Sequence, residues 1–284
     1  MKHEYSLAHL TVLALPPIRM IDAAAAAGYD YVSLRLTRVT PTETLYPLIT
    51  DRGLMKNTKA RLAATGLTVW DVELARMAPE NDPESYVPLL EAAAELGARH
   101  IITQLPDPDR RRAVDRFAAF CDLARPLGLG CDLEFMIWQA TPDLAEAVRV
   151  LKAVDKPNAG VLVDMMHFDR SNSSLEELKR LPSEWFRFAH VCDAPKEKPA
   201  NLEGLLYQAR CERMFPGDGG IDIRGILGCM PPDIPYSLEI PGDTLAGQIG
   251  LEEYACRALR AARKFLDVPH ETFAARAALQ AGNR

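Results

Sequence analysis

Eight short apolar runs alternate along this chain with longer segments of helical period, and that alternation confines the fold more tightly than any single residue does. The runs fall at 7–13, 31–36, 67–74, 100–105, 131–135, 160–165, 186–192 and 236–240. Helical stretches include 18–27, 83–96, 111–127, 142–154 and 175–181 between them, with 245–266 after the last. Thr141 before Pro142 reads as an N-cap and first turn, and Gly28, Gly66, Gly97 and Gly128 stand where helices stop. Strands separated by helices of this size run parallel with right-handed crossovers, and eight of them close most economically into a (β/α)8, or TIM, barrel. An open doubly wound sheet is the alternative, but it would usually carry a glycine-rich turn after its first strand, where this chain has LALPPIRM. No internal repeat, low-complexity tract or linker interrupts the pattern, and the longest irregular stretch is 194–222. The expectation is therefore one α/β domain over 1–284, close to the roughly 250 residues usual for such barrels.

The last four runs read CDLEF, GVLVD, FRFAH and YSLEI, and each leads into a group able to coordinate a cation: Glu134, Asp164, His190 and Glu239. In a parallel sheet the strand interior is buried on both faces, so a carboxylate at the C-terminal end sits where core meets ligand. One such ending says little; four in succession point to an enzyme built around a metal. Three carboxylates and one imidazole form a hard, oxygen-rich set, matched to Mn²⁺, Mg²⁺ or Co²⁺ ahead of Zn²⁺.

Charge and cysteine usage narrow the class further. Thirty-nine acidic against thirty-three basic residues leave a formal charge of -6, and the longest basic block is Arg110 to Arg112, which argues against nucleic acid as a partner. The opening MKHEYSLAHLTVLALPP carries Glu4 and His9 within a brief apolar stretch too short to span a bilayer, and reads as the first strand instead of a leader. Six scattered cysteines without a CxxC pair fit reduced thiols in a cytoplasmic protein. No apolar stripe specifies an interface, so a homo-oligomer stays open.

With Asp164-Met-Met-His167 after the sixth run, His190-Val-Cys-Asp193 after the seventh, PGDGGID at 216–222 and Glu239 in SLEIP, the chain resembles the xylose isomerase-like sugar isomerase/epimerase barrels. That family includes ketose 3-epimerases, hydroxypyruvate isomerase, inosose dehydratase and 3-dehydroshikimate dehydratase. The resemblance implies that Glu134, Asp164, His190 and Glu239 bind one divalent ion. It has one departure: ketose 3-epimerases usually place a further substrate-binding glutamate six residues after the first metal glutamate, and that position here is Ala140.

The ligand set carries its own chemistry. A substrate with adjacent carbonyl and hydroxyl oxygens could chelate a cation held there, which would stabilise the enediolate left when an α proton departs. Glu134 and Glu239 are the candidate pair for exchanging that proton, and His167 the candidate to bind a substrate oxygen or act as the acid in an elimination. Asp193 either orients His190 or caps a turn, with substrate contact a further expectation. The glycines of PGDGGID suit a tight turn before a helix better than a phosphate cradle. Trp70, Trp138, Phe168 and Tyr207 are candidate walls. Arg35, Arg76 and Arg210, with Arg38 nearby, suggest a small anionic substrate, unless they pair with rim carboxylates such as Glu73, Asp71 or Glu212. Isomerisation or epimerisation of a polyhydroxylated keto sugar or sugar acid heads the functional readings, with dehydration by a hydro-lyase using the same site as the alternative. An endonuclease IV-like barrel would need a cluster of zinc-binding histidines, and the chain has only His3, His9, His100, His167, His190 and His270. A catalytically dead sugar-binding barrel is the remaining reading.

Overall fold

The computed structural model describes residues 3–267. Eight parallel strands close on themselves in chain order: β1 (Tyr5–Ala8), β2 (Tyr31–Arg35), β3 (Thr68–Arg76), β4 (His100–Gln104), β5 (Gly130–Glu134), β6 (Ala159–Asp164), β7 (Ala189–Val191) and β8 (Tyr236–Leu238). Closure is made by β1 against β8, with Tyr5 opposite Tyr236 and Leu7 opposite Leu238. The (β/α)8 barrel read from the alternation is the fold that forms. His270 and everything after Asp267 lie outside the described residues.

Alternate residues of each strand serve two different interiors, because successive side chains point to opposite faces. Val69, Val72, Ile101, Val161, Val163, Ala189 and Val191 belong to the main apolar cluster, in which the sheet packs against the surrounding helices. Trp70, Leu74, Ile102, Leu162 and Phe188 form a second, smaller cluster inside the barrel. Stepping two residues onward from Ile102, Leu162 and Phe188 gives Gln104, Asp164 and His190, so the polar ends sit directly above an apolar floor. That stacking confines the chemistry to the C-terminal mouth.

Several boundaries differ from the expected ones for physical reasons. β1 stops at Ala8 and the chain turns through a 3₁₀ segment, His9–Val12, before Pro16 and Pro17 open the next helix. A helix at Arg52–Thr65, capped by Asp51, was not among the expected stretches; its buried side chains are only Met55, Thr58 and Leu62, so its apolar period is faint. The fifth crossover helix begins at Leu144 with Asp143 accepting from the Glu146 amide, which takes the capping role expected of Thr141. The 245–266 stretch is two helices, Asp243–Ile249 and Leu251–Leu266, separated by Gly250 at a φ of 84° that a side chain would disfavour. The stretch 194–222, expected to be irregular, contains the helix Leu202–Cys211. Among the described residues no helix is long and apolar enough to cross a membrane.

Candidate metal centre

Each of the last four strands delivers one donor into the mouth at or beside its C-terminal end. Glu134 is the last residue of β5 and Asp164 the last of β6, His190 lies in β7 in register with Asp164, and Glu239 follows β8. One ligand atom from each of these four lies within 4.8 Å of all the others, and all four side chains are buried. The His190 Nδ1 stands 3.6 Å from Glu134, 3.8 Å from Asp164 and 3.5 Å from Glu239. Those separations exceed hydrogen-bond length, and both His190 ring nitrogens are buried without a hydrogen-bond partner. Donors spaced so surround a point rather than one another, as ligands at about 2.0–2.6 Å from a cation do.

Electrostatics favour a positive occupant. Burial pushes the Glu239 carboxyl up, but His190 and Arg213 outweigh it and hold that group well below the usual carboxylate range. Asp164 is likewise drawn down against its burial by Arg213 and His167. Burial disfavours a charged His190, yet Glu239 and Glu134 hold its basicity well above the ordinary value, so the carboxylates attract a cation, or a proton in its place. Three carboxylates against Arg213 leave two negative charges, the charge that a divalent ion balances.

Buried neighbours fix the donors. Asp164 caps the short helix Met165–Arg170, its Oδ1 accepting from the His167 amide at 2.9 Å, which aims Oδ2 into the site. Arg213 donates from Nη1 to that Oδ2 at 2.6 Å and to the Glu239 backbone carbonyl at 3.1 Å, while its Nη2 lies 2.9 Å from Glu239 Oε2. The Gln104 amide donates to Glu134 Oε2 at 2.7 Å, and Gln139 donates to Gln104 in turn. Gln104 ends β4 as Glu134 and Asp164 end β5 and β6, and the same strand-end rule extended by one run would have found it. Arg213 sits in the long β7–β8 connection, where no pattern marks it.

A cavity of about 430 Å³ opens above these groups, lined in part by Arg35, Arg76, Gln104, Glu134, Trp138, His167, Arg210, Arg213 and Glu239. His167 faces it with its ring edge-to-face on Trp138 at 5.1 Å and its Nδ1 unpartnered. Arg35 is present but engaged, gripped by Glu73 and by Glu43 at 3.3 Å, as the rim-pairing alternative anticipated. Arg38 is exposed and outside the cavity lining. Of the four aromatic candidates only Trp138 lines the cavity; Trp70 is in the barrel floor, Phe168 is buried elsewhere and Tyr207 is exposed. Ala140 is exposed and not part of the lining, whereas the adjacent Gln139 is.

Asp193, expected to orient His190, cap a turn or touch substrate, is engaged in the loop that follows β7. Its Oδ1 accepts from the amides of Ala194 at 2.8 Å and Ile221 at 3.1 Å, its Oδ2 from those of Gly217 and Gly219 at 3.0 Å, and it does not line the cavity. The PGDGGID amides that could have cradled a phosphate are thus occupied by a carboxylate of the same chain. A Cβ on Gly219 would stand 2.3 Å from the Ala194 carbonyl, which is why glycine is needed there.

Comparison with known proteins agrees with this architecture. Inosose isomerase of Bacillus subtilis (strain 168) is 25% identical over 152 residues, which are 50% of this chain and 52% of that protein, so the match spans about half of each. A crystal structure of the IolI protein with a bound zinc atom superposes with a TM-score of 0.77 at 17% identity, covering 93% of this chain and all of that one. The probable 3-DHS dehydratase AsbF of Bacillus anthracis gives 0.73 at 16% identity, over 90% and 97% of the two chains. A family model described as the xylose isomerase-like TIM barrel matches residues 21–265, and the chain belongs to that family.

Proposed function

We propose that this protein is a divalent-metal-dependent isomerase or epimerase acting on a polyhydroxylated keto sugar or sugar acid. The observation that carries the reading is the buried quartet of Glu134, Asp164, His190 and Glu239, converging within 4.8 Å, with Glu134 and Glu239 lining a substrate-sized cavity. The similarity to inosose isomerase, to the zinc-containing IolI protein and to a dehydratase supports an enzyme of this type. The oxygen-rich donor set suits Mn²⁺, Mg²⁺ or Co²⁺, and the zinc in the IolI protein makes Zn²⁺ a fourth ion to test. When bound, the ion supplies Lewis-acid stabilisation of the negative charge that develops on the substrate oxygens.

The chain's own residues supply the proton movements. Glu134 and Glu239 end strands on separate sectors of the barrel wall, so each reaches a different side of a substrate lying across the mouth. One removes the proton from the carbon next to the carbonyl, and the other returns a proton to complete the isomerisation or epimerisation. Gln104 holds the Glu134 carboxylate by one oxygen and leaves the other free; Arg213 does the same service for Glu239. His167, wedged against Trp138, presents an imidazole edge to a substrate hydroxyl.

A second reading is favoured by the same His167. If it protonates a β-hydroxyl as the α proton leaves, that hydroxyl departs as water and the reaction is a dehydration, the type carried by the name of the structurally similar AsbF. Incubating the metal-loaded protein in deuterated water with ketoses, inososes and dehydroshikimate separates the two. An isomerase returns labelled product of unchanged composition, and a hydro-lyase returns an enone one water lighter. Failure of every panel member to exchange a proton under metal-loaded conditions contradicts both.

A further inference from the structure

Four arginines line the cavity, and they are not equivalent. Arg35 is held by Glu73 and Glu43, and Arg213 by Asp164 and Glu239. Arg76, at the end of β3, and Arg210, in the last turn of the helix Leu202–Cys211, make no salt bridge or side-chain hydrogen bond among the described residues, and Glu43 acts on Arg210 only at longer range. Both are half-buried. Glu43 also lines the cavity, but it already accepts from Arg35 and from the Val39 and Thr40 amides.

We infer that Arg76 and Arg210 form an oxyanion subsite, which receives a carboxylate or phosphate group carried by the substrate in addition to the oxygens facing Glu134 and Glu239. Two unpaired guanidinium groups turned into one partly desolvated cavity repel each other, and an oxyanion between them removes that cost while satisfying their planar donor edges. The strain is visible on Arg210, whose basicity is lowered first by burial and then by the like charge of Arg76. A neutral inosose would leave both groups unpaired. The subsite thus points to an acid or phosphate ester and away from an uncharged ring as the preferred substrate. It shares its cavity with the reaction proposed above and rests on that reading for what the bound molecule then undergoes.

The test titrates the metal-free protein, as the whole 284-residue chain, calorimetrically with inorganic phosphate, with D-gluconate and with D-glucose as the uncharged control. The expected result is saturable binding of at least one anion, no comparable binding of glucose, and weakening of the anion by about tenfold or more in Arg76→Gln and in Arg210→Gln. Arg38→Gln, exposed and outside the cavity, binds as the wild type does. Whichever anion binds tighter distinguishes a phosphate ester from a sugar acid. The inference is overturned if neither anion saturates the wild type, or if both cavity variants bind as the wild type does. A parallel Mn²⁺ titration keeps the two readings apart: variants that lose the anion but keep the ion support the subsite, and a wild type that takes anion but no Mn²⁺ contradicts only the metal centre.

Discussion

Arg213 is buried and shares its single positive charge between two of the three carboxylates that face the proposed metal position. Arg213→Gln leaves Asp164 and Glu239 with an unbalanced buried charge, and loss of one partner from a buried pair costs about 3–5 kcal/mol. Urea unfolding of the metal-free variant should show a loss of that order, with part of it recovered on adding Mn²⁺; an unchanged midpoint would mean that the guanidinium does not balance those acids. His9 makes a second residue-scale prediction. Its Nε2 donates to the Leu15 carbonyl at 3.0 Å and its Nδ1 accepts from the Arg35 amide at 3.2 Å, so the ring is held neutral. Burial, opposed by the Leu15 bond and assisted by Arg35, pushes its pKa down to about 4 from 6.5. The unfolded chain therefore binds the extra proton first: this contribution is intact above pH 6.5 and is lost as pH falls toward 4. At about 1.4 kcal/mol per unit the loss approaches roughly 3 kcal/mol, and His9→Gln should flatten the stability profile across that window. An equally steep profile in the variant would assign the effect to other groups.

At the scale of elements, the β7–β8 connection is organised by one side chain. Asp193 gathers the amides of Ala194, Gly217, Gly219 and Ile221, and Asp193→Ala strands them in a partly buried loop. A loss of about 2–4 kcal/mol is expected from amides left unpaired, together with faster proteolysis within 215–222. Unchanged proteolysis would show that the loop is held by its apolar contacts. What the sequence could and could not reveal divides along the same lines. Strand ends were legible because a buried parallel strand shows as an apolar run, and a charged residue closing it has nowhere to go but the mouth, as with Glu134, Asp164, His190 and Glu239. The helix Arg52–Thr65 was illegible because it buries one thin stripe, and Leu202–Cys211 because it lies in a loop whose glycines and prolines dominate the local pattern. Arg35 and Arg76 close neighbouring strands and look alike in sequence; only the fold shows that Glu73 and Glu43 engage the first, while among the described residues the second makes no ion pair. Asp193 follows His190 by three residues, yet the chain turns its carboxylate into the loop that follows.

At the scale of the whole molecule, the barrel separates stability from chemistry. The apolar shell between sheet and helices and the plug of Trp70, Leu74, Ile102, Leu162 and Phe188 close the interior below the mouth. Charged residues at the mouth then cost stability that the shell must offset, since buried like charges repel unless something positive lies among them. Adding a divalent ion should therefore raise the melting temperature of the wild type. The most direct measurement is a calorimetric titration of the metal-free protein with Mn²⁺, beside Glu134→Gln and Asp164→Asn. One ion per chain, bound at least about tenfold more weakly by either variant, is the predicted result. No saturable binding by the wild type, or equal affinity in all three proteins, would contradict the metal centre on which the proposed function stands.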